Sequence, residues 1–286
     1  MAVHQSAQAR PGDAAALLHW FRRTSEVTVA FSGGVDSALV LAAAARAVGP
    51  SRVHAITAVS DALPSGMLKV ARSVATMLGV RHSEMRTREI DNPGYAANGP
   101  DRCYFCKATL IDTVAANVPL GAGNLLVTGT NADDVAAGWR PGIRAAAERG
   151  AGTPLADTGM GKEAVRALSR RWQLPTADQP ASPCLSSRVA YGIPITPARL
   201  ARIDAAEQAV RRVLAAAGVT TRDLRVRDLG AGVRVEVDAG TVDAARDLPS
   251  VTQAVAAAGF AGAPVQVAAF ASGFLNSVLA PELRFR

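Results

Sequence analysis

The sequence predicts an open α/β fold followed by a smaller α+β unit, on three observations. Short apolar strands alternate with helical stretches up to about residue 175. A Pro- and Ser-rich segment at 174–183 then breaks the rhythm. Beyond it stand one long amphipathic helix and a hairpin pattern. Residues 27–31 (Val-Thr-Val-Ala-Phe) read as a buried strand, with a helix over 37–48. A second strand covers 53–57, a helix 64–78, and Val80 begins a third strand. After an irregular stretch at 93–100, residues 103–116 read as helical, 125–128 as a strand and 162–172 as a helix. Helices of that length between strands imply right-handed crossovers, hence a mostly parallel sheet covered on both faces. A boundary is expected between 178 and 179. The helix over 197–217 places Leu200, Ile203, Val210 and Leu214 on one face. Strands at 224–229 and 233–237 are joined by Gly230-Ala-Gly232, and a last strand lies near Val265.

Composition narrows the class. With 286 residues and 49% apolar content, the chain is long and apolar enough to bury a core without disulfides or structural metal. The longest apolar stretch, 38–45, ends at Arg46 and is far shorter than the ~20 residues a membrane span needs. The opening segment, Met-Ala-Val-His-Gln-Ser, lacks the basic stretch and apolar run of a secretory leader, so a cytoplasmic protein is expected. A net charge of +7 suggests an anionic partner. The basic residues are nearly all Arg and are spread along the chain; Lys69, Lys107 and Lys162 are the only lysines. The signal is weak: a diffuse solvated surface, a small phosphorylated molecule and nucleic acid all remain open, although no dense basic patch with interleaved aromatics marks a nucleic-acid binder.

Ser32-Gly33-Gly34-Val35-Asp36-Ser37 lies between the first strand and the first helix, where open α/β sheets bind ligands. The glycines let backbone approach an anion, and the helix start offers unpaired N–H groups with the positive end of its dipole. Ser32 and Ser37 add hydroxyl donors. Like charge keeps Asp36 off phosphate itself, so it is expected to hold a phosphate-bound Mg²⁺. No Lys follows the second Gly, which excludes the loop used for γ-phosphate transfer. The segment resembles the pyrophosphatase loop of the PP-loop ATPases, which adenylate an oxygen of their substrate and release pyrophosphate. A second loop, Thr128-Gly129-Thr-Asn-Ala-Asp133-Asp134, follows a later strand and faces the same sheet edge. Asp133 and Asp134 could stand near nucleotide or Mg²⁺, and Asn131 or Asp133 could equally cap a helix.

Cys103 and Cys106 form a C-x-x-C pair in Arg102-Cys-Tyr-Phe-Cys-Lys107; Cys184 lies in Ser-Pro-Cys-Leu-Ser-Ser-Arg188. Arg102 and Lys107 favour thiolates. Four readings stand open. A structural zinc wants four ligands, and no fourth cysteine exists. Three buried thiols could have no role. Three cysteines could hold a 4Fe–4S cluster with one open iron. Cys184 could give up its own sulfur.

In chain order, S-G-G-V-D-S, R-C-Y-F-C-K, G-T-N-x-D-D with Arg140-Pro-Gly142, and P-C-L-x-S-R with Tyr191-Gly192 resemble the LarE family. These are PP-loop sulfur transferases of nickel-pincer nucleotide biosynthesis, and the likeness runs over roughly residues 14–270. It implies an ATP-pyrophosphatase domain at 1–178 and a sulfur-transfer and substrate domain at 179–286. It implies that ATP and Mg²⁺ are used to adenylate the carboxylates of pyridinium-3,5-biscarboxylic acid mononucleotide, which become thiocarboxylates. It further implies a ring-like homo-oligomer such as a hexamer.

In one branch of that family the cysteine matching Cys184 is consumed. Members with all three cysteines are thought to hold a 4Fe–4S cluster, the version favoured for this chain. Arg225 and Arg227, on one face of a strand, match the family's R-V-R segment and suit a substrate phosphate, unless they form only a charged solvent face. Glu207 and Glu236 are candidates for a second metal or for substrate positioning. Arg188 is a candidate anion or adenylate contact. The alternatives are a PP-loop tRNA thiolase and a nucleotide-sensing module without turnover.

Overall fold

The structure, a computed structural model, describes residues 13–121, 123–138 and 140–277. The opening segment read above for a leader lies outside the described residues. By internal contacts the chain forms two compact units. One comprises the chain up to Ala58, Gly66–Arg86 and Lys107–Gln179. The other comprises Val59–Ser65, Thr87–Cys106 and the chain from Pro180 onward.

The first unit is the α/β layer. In order it runs α1 (Ala14–Phe21), β1 (Glu26–Ala30), α2 (Val35–Val48), β2 (Val53–Val59), α3 (Met67–Met77) and β3 (Arg81–Arg86). The short α4 (Pro93–Ala96) belongs to the second unit, and the boundary then falls inside α5 (Arg102–Asn117), between Cys106 and Lys107. The first unit resumes with β4 (Asn124–Val127), α6 (Ala132–Ala136), α7 (Pro141–Glu148), α8 (Pro154–Asp157) and α9 (Lys162–Arg171). The sheet order is β3-β2-β1-β4, and β1 pairs in parallel with both β2 and β4. Strand order therefore reverses at β1, and the crevice beyond the carboxyl ends of β1 and β4 is the natural ligand site.

Helix α2 explains the alanine-rich stretch of the sequence. Every residue from Ala38 to Ala45 is buried, because the helix packs on α1 and α9 as well as on the sheet. Small side chains allow that crowding. Leu39, Val40 and Leu41 each contribute roughly 1.5–3 kcal/mol of burial. Gly49, at φ +90, ends the helix.

The second unit packs α10 (Pro197–Ala216) on a three-stranded sheet. The sheet joins β5 (Arg225–Asp228), β6 (Val233–Val237) and β7 (Val265–Ala269). Leu200, Ile203, Val210 and Leu214 are all buried on the face of α10 that the sequence predicts. Strands β5 and β6 are antiparallel, as the hairpin signal requires. Strand β7 lies parallel to β6, and such a pair needs a crossover. That crossover is supplied by α11 (Val242–Arg246), α12 (Pro249–Val255) and a turn through Phe260. Ala62, Tyr95, Leu185 and Val189 complete the core of this unit. A final short turn, α13 (Phe274–Ser277), follows. Among the described residues, no helix is long and apolar enough to cross a membrane.

Candidate active site

In the first unit, both predicted loops stand at the switch point. Gly33 takes φ +77, open to glycine, and a Cβ there would lie 3.3 Å from Met67 O and Ala71 N. Gly34 starts α2 from extended backbone with no side-chain cap, so the first-turn N–H groups are left for an anion. The two hydroxyls brace the loop. Ser37 Oγ donates to Gly34 O at 3.1 Å, Gly34 N donates to Ser32 Oγ at 3.3 Å, and the two Oγ atoms are 3.1 Å apart. Gly129 brings the second loop against the first: an ideal Cβ would sit 2.8 Å from Ser37 N.

Asp36 is neutralised by Lys162, which no motif in the sequence singles out. Its Oδ2 lies 2.5 Å from Lys162 Nζ, and its Oδ1 accepts from Asn131 Nδ2 at 3.1 Å. Lys162 opens α9, so three strand or loop ends converge on one carboxylate. Asn131 also closes a capping box with Asp134 at the start of α6. Asp133 accepts from Lys162 N at 2.7 Å and so fastens the start of α9. The carboxylates of this loop thus act as caps, a role compatible with a place beside the nucleotide.

In the second unit, Cys103 and Cys106 sit three positions apart on the first turns of α5, and Cys184 precedes a 3₁₀ turn, Leu185–Arg188. Cys103 is exposed; Cys106 and Cys184 are half-buried. The three share neighbours. Burial pulls the Arg102 guanidinium down, but the Cys184 and Cys103 sulfurs, with Tyr191 and Tyr95, outweigh it and hold it above the ordinary arginine value. Burial pushes the Tyr95 phenol far up; Cys184 adds to that, the Ser186 hydrogen bond opposes it, and Cys106 adds again. Burial likewise raises Tyr191, against Arg102 and with Cys103 and Cys184. Arg102, only 4% exposed, donates to Asn98 Oδ1 and to Ser186 O, and Tyr95 Oη lies 2.5 Å from Ser186 Oγ. Asn98 in turn donates to Ala190 O and Ile193 O from a left-handed backbone position that suits Asn. No short-range pattern marks this buried network in the sequence. Its partners lie about 90 residues apart.

Arg225 and Arg227 are 5% and 7% exposed, so β5 is not a solvent face. Arg225 donates to Leu224 O and Ala181 O; Arg227 donates to Ser187 O at 3.1 Å. Two expectations need correction. Arg188 is 1% exposed and fully engaged: it pairs with Glu207 at 2.9 Å and donates to Pro183 O at 2.6 Å and Cys184 O at 3.1 Å. It holds the Cys184 loop rather than an adenylate. Glu236, 0% exposed, lies 2.8 Å from Arg227 Nη2 and 3.3 Å from Arg234 Nε. Glu207 also accepts from Val226 N. Both carboxylates are counter-ions of arginines rather than a metal pair. Among the described residues, no three His, Cys, Asp or Glu side chains stand placed to hold a metal ion.

A cavity of about 190 Å³ in this unit is lined by Arg225, Arg227, Ser187, Arg102 and Tyr191. Arg102 and Tyr191, which face Cys103 and Cys184, therefore belong to the same cavity as the guanidinium pair.

A sheet with this switch point and this anion loop defines an ATP-using protein of the PP-loop type. The asparagine synthase family model matches residues 16–114. An uncharacterized protein of Synechocystis is 43% identical over 197 residues, 69% of this chain and 73% of that one. The pyridinium-3,5-bisthiocarboxylic acid mononucleotide synthase of Lactiplantibacillus plantarum is 29% identical over 270 residues, 93% of this chain and 94% of that one. A glutamine-dependent NAD(+) synthetase of Rhodobacter capsulatus is 32% identical over 127 residues, 40% of this chain and 22% of that one. The chain is similar to the LarE-type synthase over nearly its whole length, and it is an ATP-dependent sulfurtransferase.

Proposed function

We propose that this enzyme adenylates the ring carboxylates of pyridinium-3,5-biscarboxylic acid mononucleotide and converts them to thiocarboxylates. The observation that carries this reading is the shared cavity: its arginine pair suits a substrate phosphate, and its Arg102 and Tyr191 adjoin two of the cysteines. ATP phosphates bind the N–H groups that follow Gly34, with the Ser32 and Ser37 hydroxyls. Asp36 would hold a phosphate-bound Mg²⁺ in place of Lys162, whose ammonium would then be free to turn to the phosphates. A carboxylate oxygen then attacks the α-phosphorus and pyrophosphate leaves. AMP replaces oxide as the leaving group, so sulfur can attack the carbonyl carbon and AMP departs.

A 4Fe–4S cluster would take Cys103, Cys106 and Cys184 as its ligands, and those three side chains do not stand gathered as a metal-holding group in this structure. Such a cluster would supply a transferable sulfide. Arg102 anchors the start of α5, which carries Cys103 and Cys106, and the Arg188–Glu207 pair fixes the loop that carries Cys184. The reading includes a cytosolic, ring-like homo-oligomer. Its test is pyrophosphate release from ATP, expected only with the biscarboxylate and abolished in Asp36→Ala. Release that ignores the acid, or persists in that variant, would refute it. Anaerobic protein should contain iron and sulfide and turn over repeatedly. Colourless protein that acts once and loses one H₂S in mass would instead assign the sulfur to Cys184 itself.

A further inference from the structure

The cavity has a wall that no part of the reaction uses. The segment after β7 lines it with Phe270 and Phe274, both half-buried. The Phe270 ring lies 5.4 Å from the Arg225 guanidinium, and the Phe274 ring lies 5.5 Å from Arg227 and 4.5 Å from Arg234. These distances fall within the range of cation–π attraction. A guanidinium covered on its face can donate only from its edge. Each ring also keeps water from the flat side of its arginine, which strengthens whatever anion the edge meets.

The cations here exceed their local acids. Arg225, Arg227, Arg234, Arg188 and Arg102 stand against Glu207, Glu236 and Asp223. Arg227 Nε is buried with no hydrogen-bond partner. A volume of about 190 Å³ is also smaller than a complete ligand pocket, which takes roughly 300–1,000 Å³. A cavity of that size has room for part of a nucleotide, and its donors and flat walls match a phosphate ester next to a ring.

We propose that Phe270 and Phe274 are specificity residues, which hold the two guanidiniums edge-on and select a phosphate monoester over the same molecule without its phosphate. This rests on the assignment of the arginine pair to the substrate phosphate, and the test separates the two. The probes are a pyridinium carboxylate mononucleotide and its phosphate-free nucleoside, titrated calorimetrically into the full chain. Wild type should prefer the mononucleotide by at least about tenfold. Phe270→Ala and Phe274→Ala should each remove most of that preference while leaving nucleoside affinity within about twofold. Phe274→Tyr should keep it and Phe274→Leu, similar in bulk but not aromatic, should lose it; these two decide if an alanine variant does not fold. Full preference in the Ala or Leu variants, with loss in Arg227→Gln, would overturn the role of the phenyl rings and leave the phosphate assignment standing. Equal binding of both probes by wild type, or full preference in Arg227→Gln, would overturn the phosphate assignment and the specificity role with it.

Discussion

One missing methyl group brings the two nucleotide loops together. At Gly129 a Cβ would stand 2.8 Å from Ser37 N and 3.1 Å from Ser37 Cα, against backbone that belongs to the start of α2. Gly129→Ala must push the loops apart, and overpacking of this kind costs about 1–3 kcal/mol. The expected result is a folded protein whose KM for ATP rises at least about tenfold, read from pyrophosphate release at varied ATP. An unchanged KM would mean that the loops do not act together. The loop residues themselves are legible in the sequence, because contiguous glycines and serines at a strand–helix junction have one economical use. Lys162 is not, since it lies 126 residues beyond the Asp36 it neutralises and looks like any helix-start cation. Arg188 is misread for a related reason. An arginine beside a reactive cysteine suggests anion binding until Glu207, 19 residues on, is seen to occupy it.

Among the elements, strands and long helices follow their hydrophobic period closely: β6 spans the predicted residues, and α10 differs by one at its end. The short helices α6, α7 and α8 carry too few turns for a period and pass as loop. Strand β5 is harder, because alternating arginines normally face water, whereas here all four residues are buried. Their compensation comes from Glu236, across the predicted hairpin, and from Glu207 of α10 and the carbonyls of Ala181 and Ser187, which are remote in sequence. The Arg188–Glu207 pair ties the Cys184 loop to α10, and Glu207 continues the tie to Val226 N of β5. Removing one partner of a buried pair costs about 3–5 kcal/mol, so Glu207→Ala should lose that much in urea unfolding. A loss below about 1 kcal/mol would show that the pair is not enclosed as described. Asp228, buried at the end of β5, gives the same unit a dependence on acid. Burial pushes its carboxyl up, but hydrogen bonds from Arg202 and Gly230 N and the charges of Arg199 and Arg202 outweigh this and hold it below the usual value. The folded form thus gives up its proton more readily than the unfolded chain, where Asp titrates near ~3.9. The stabilisation is complete above that value and is lost as pH falls below it. Asp228→Asn should be less stable at pH 7 and should flatten the decline seen in wild type below about pH 4.

Across the whole molecule, the positive charge bears on which substrate the enzyme takes. The net charge of +7 fits RNA as well as it fits a small phosphate. Yet Arg102, Arg188, Arg225 and Arg227 are buried, with guanidiniums bonded to carbonyls and carboxylates of their own unit. Charge used in that way cannot track a phosphate backbone. A tRNA thiolase needs many phosphate contacts, each of which steepens the loss of affinity with salt. This enzyme is therefore expected to bind tRNA with Kd no tighter than the roughly 10⁻⁴–10⁻⁶ M of nonspecific binding at physiological salt, measured by filter retention. Unfractionated tRNA should not stimulate pyrophosphate release, whereas the biscarboxylate nucleotide should. Tight, salt-steep binding with tRNA-stimulated release would transfer the assignment to RNA thiolation and leave the buried arginines with a purely structural role.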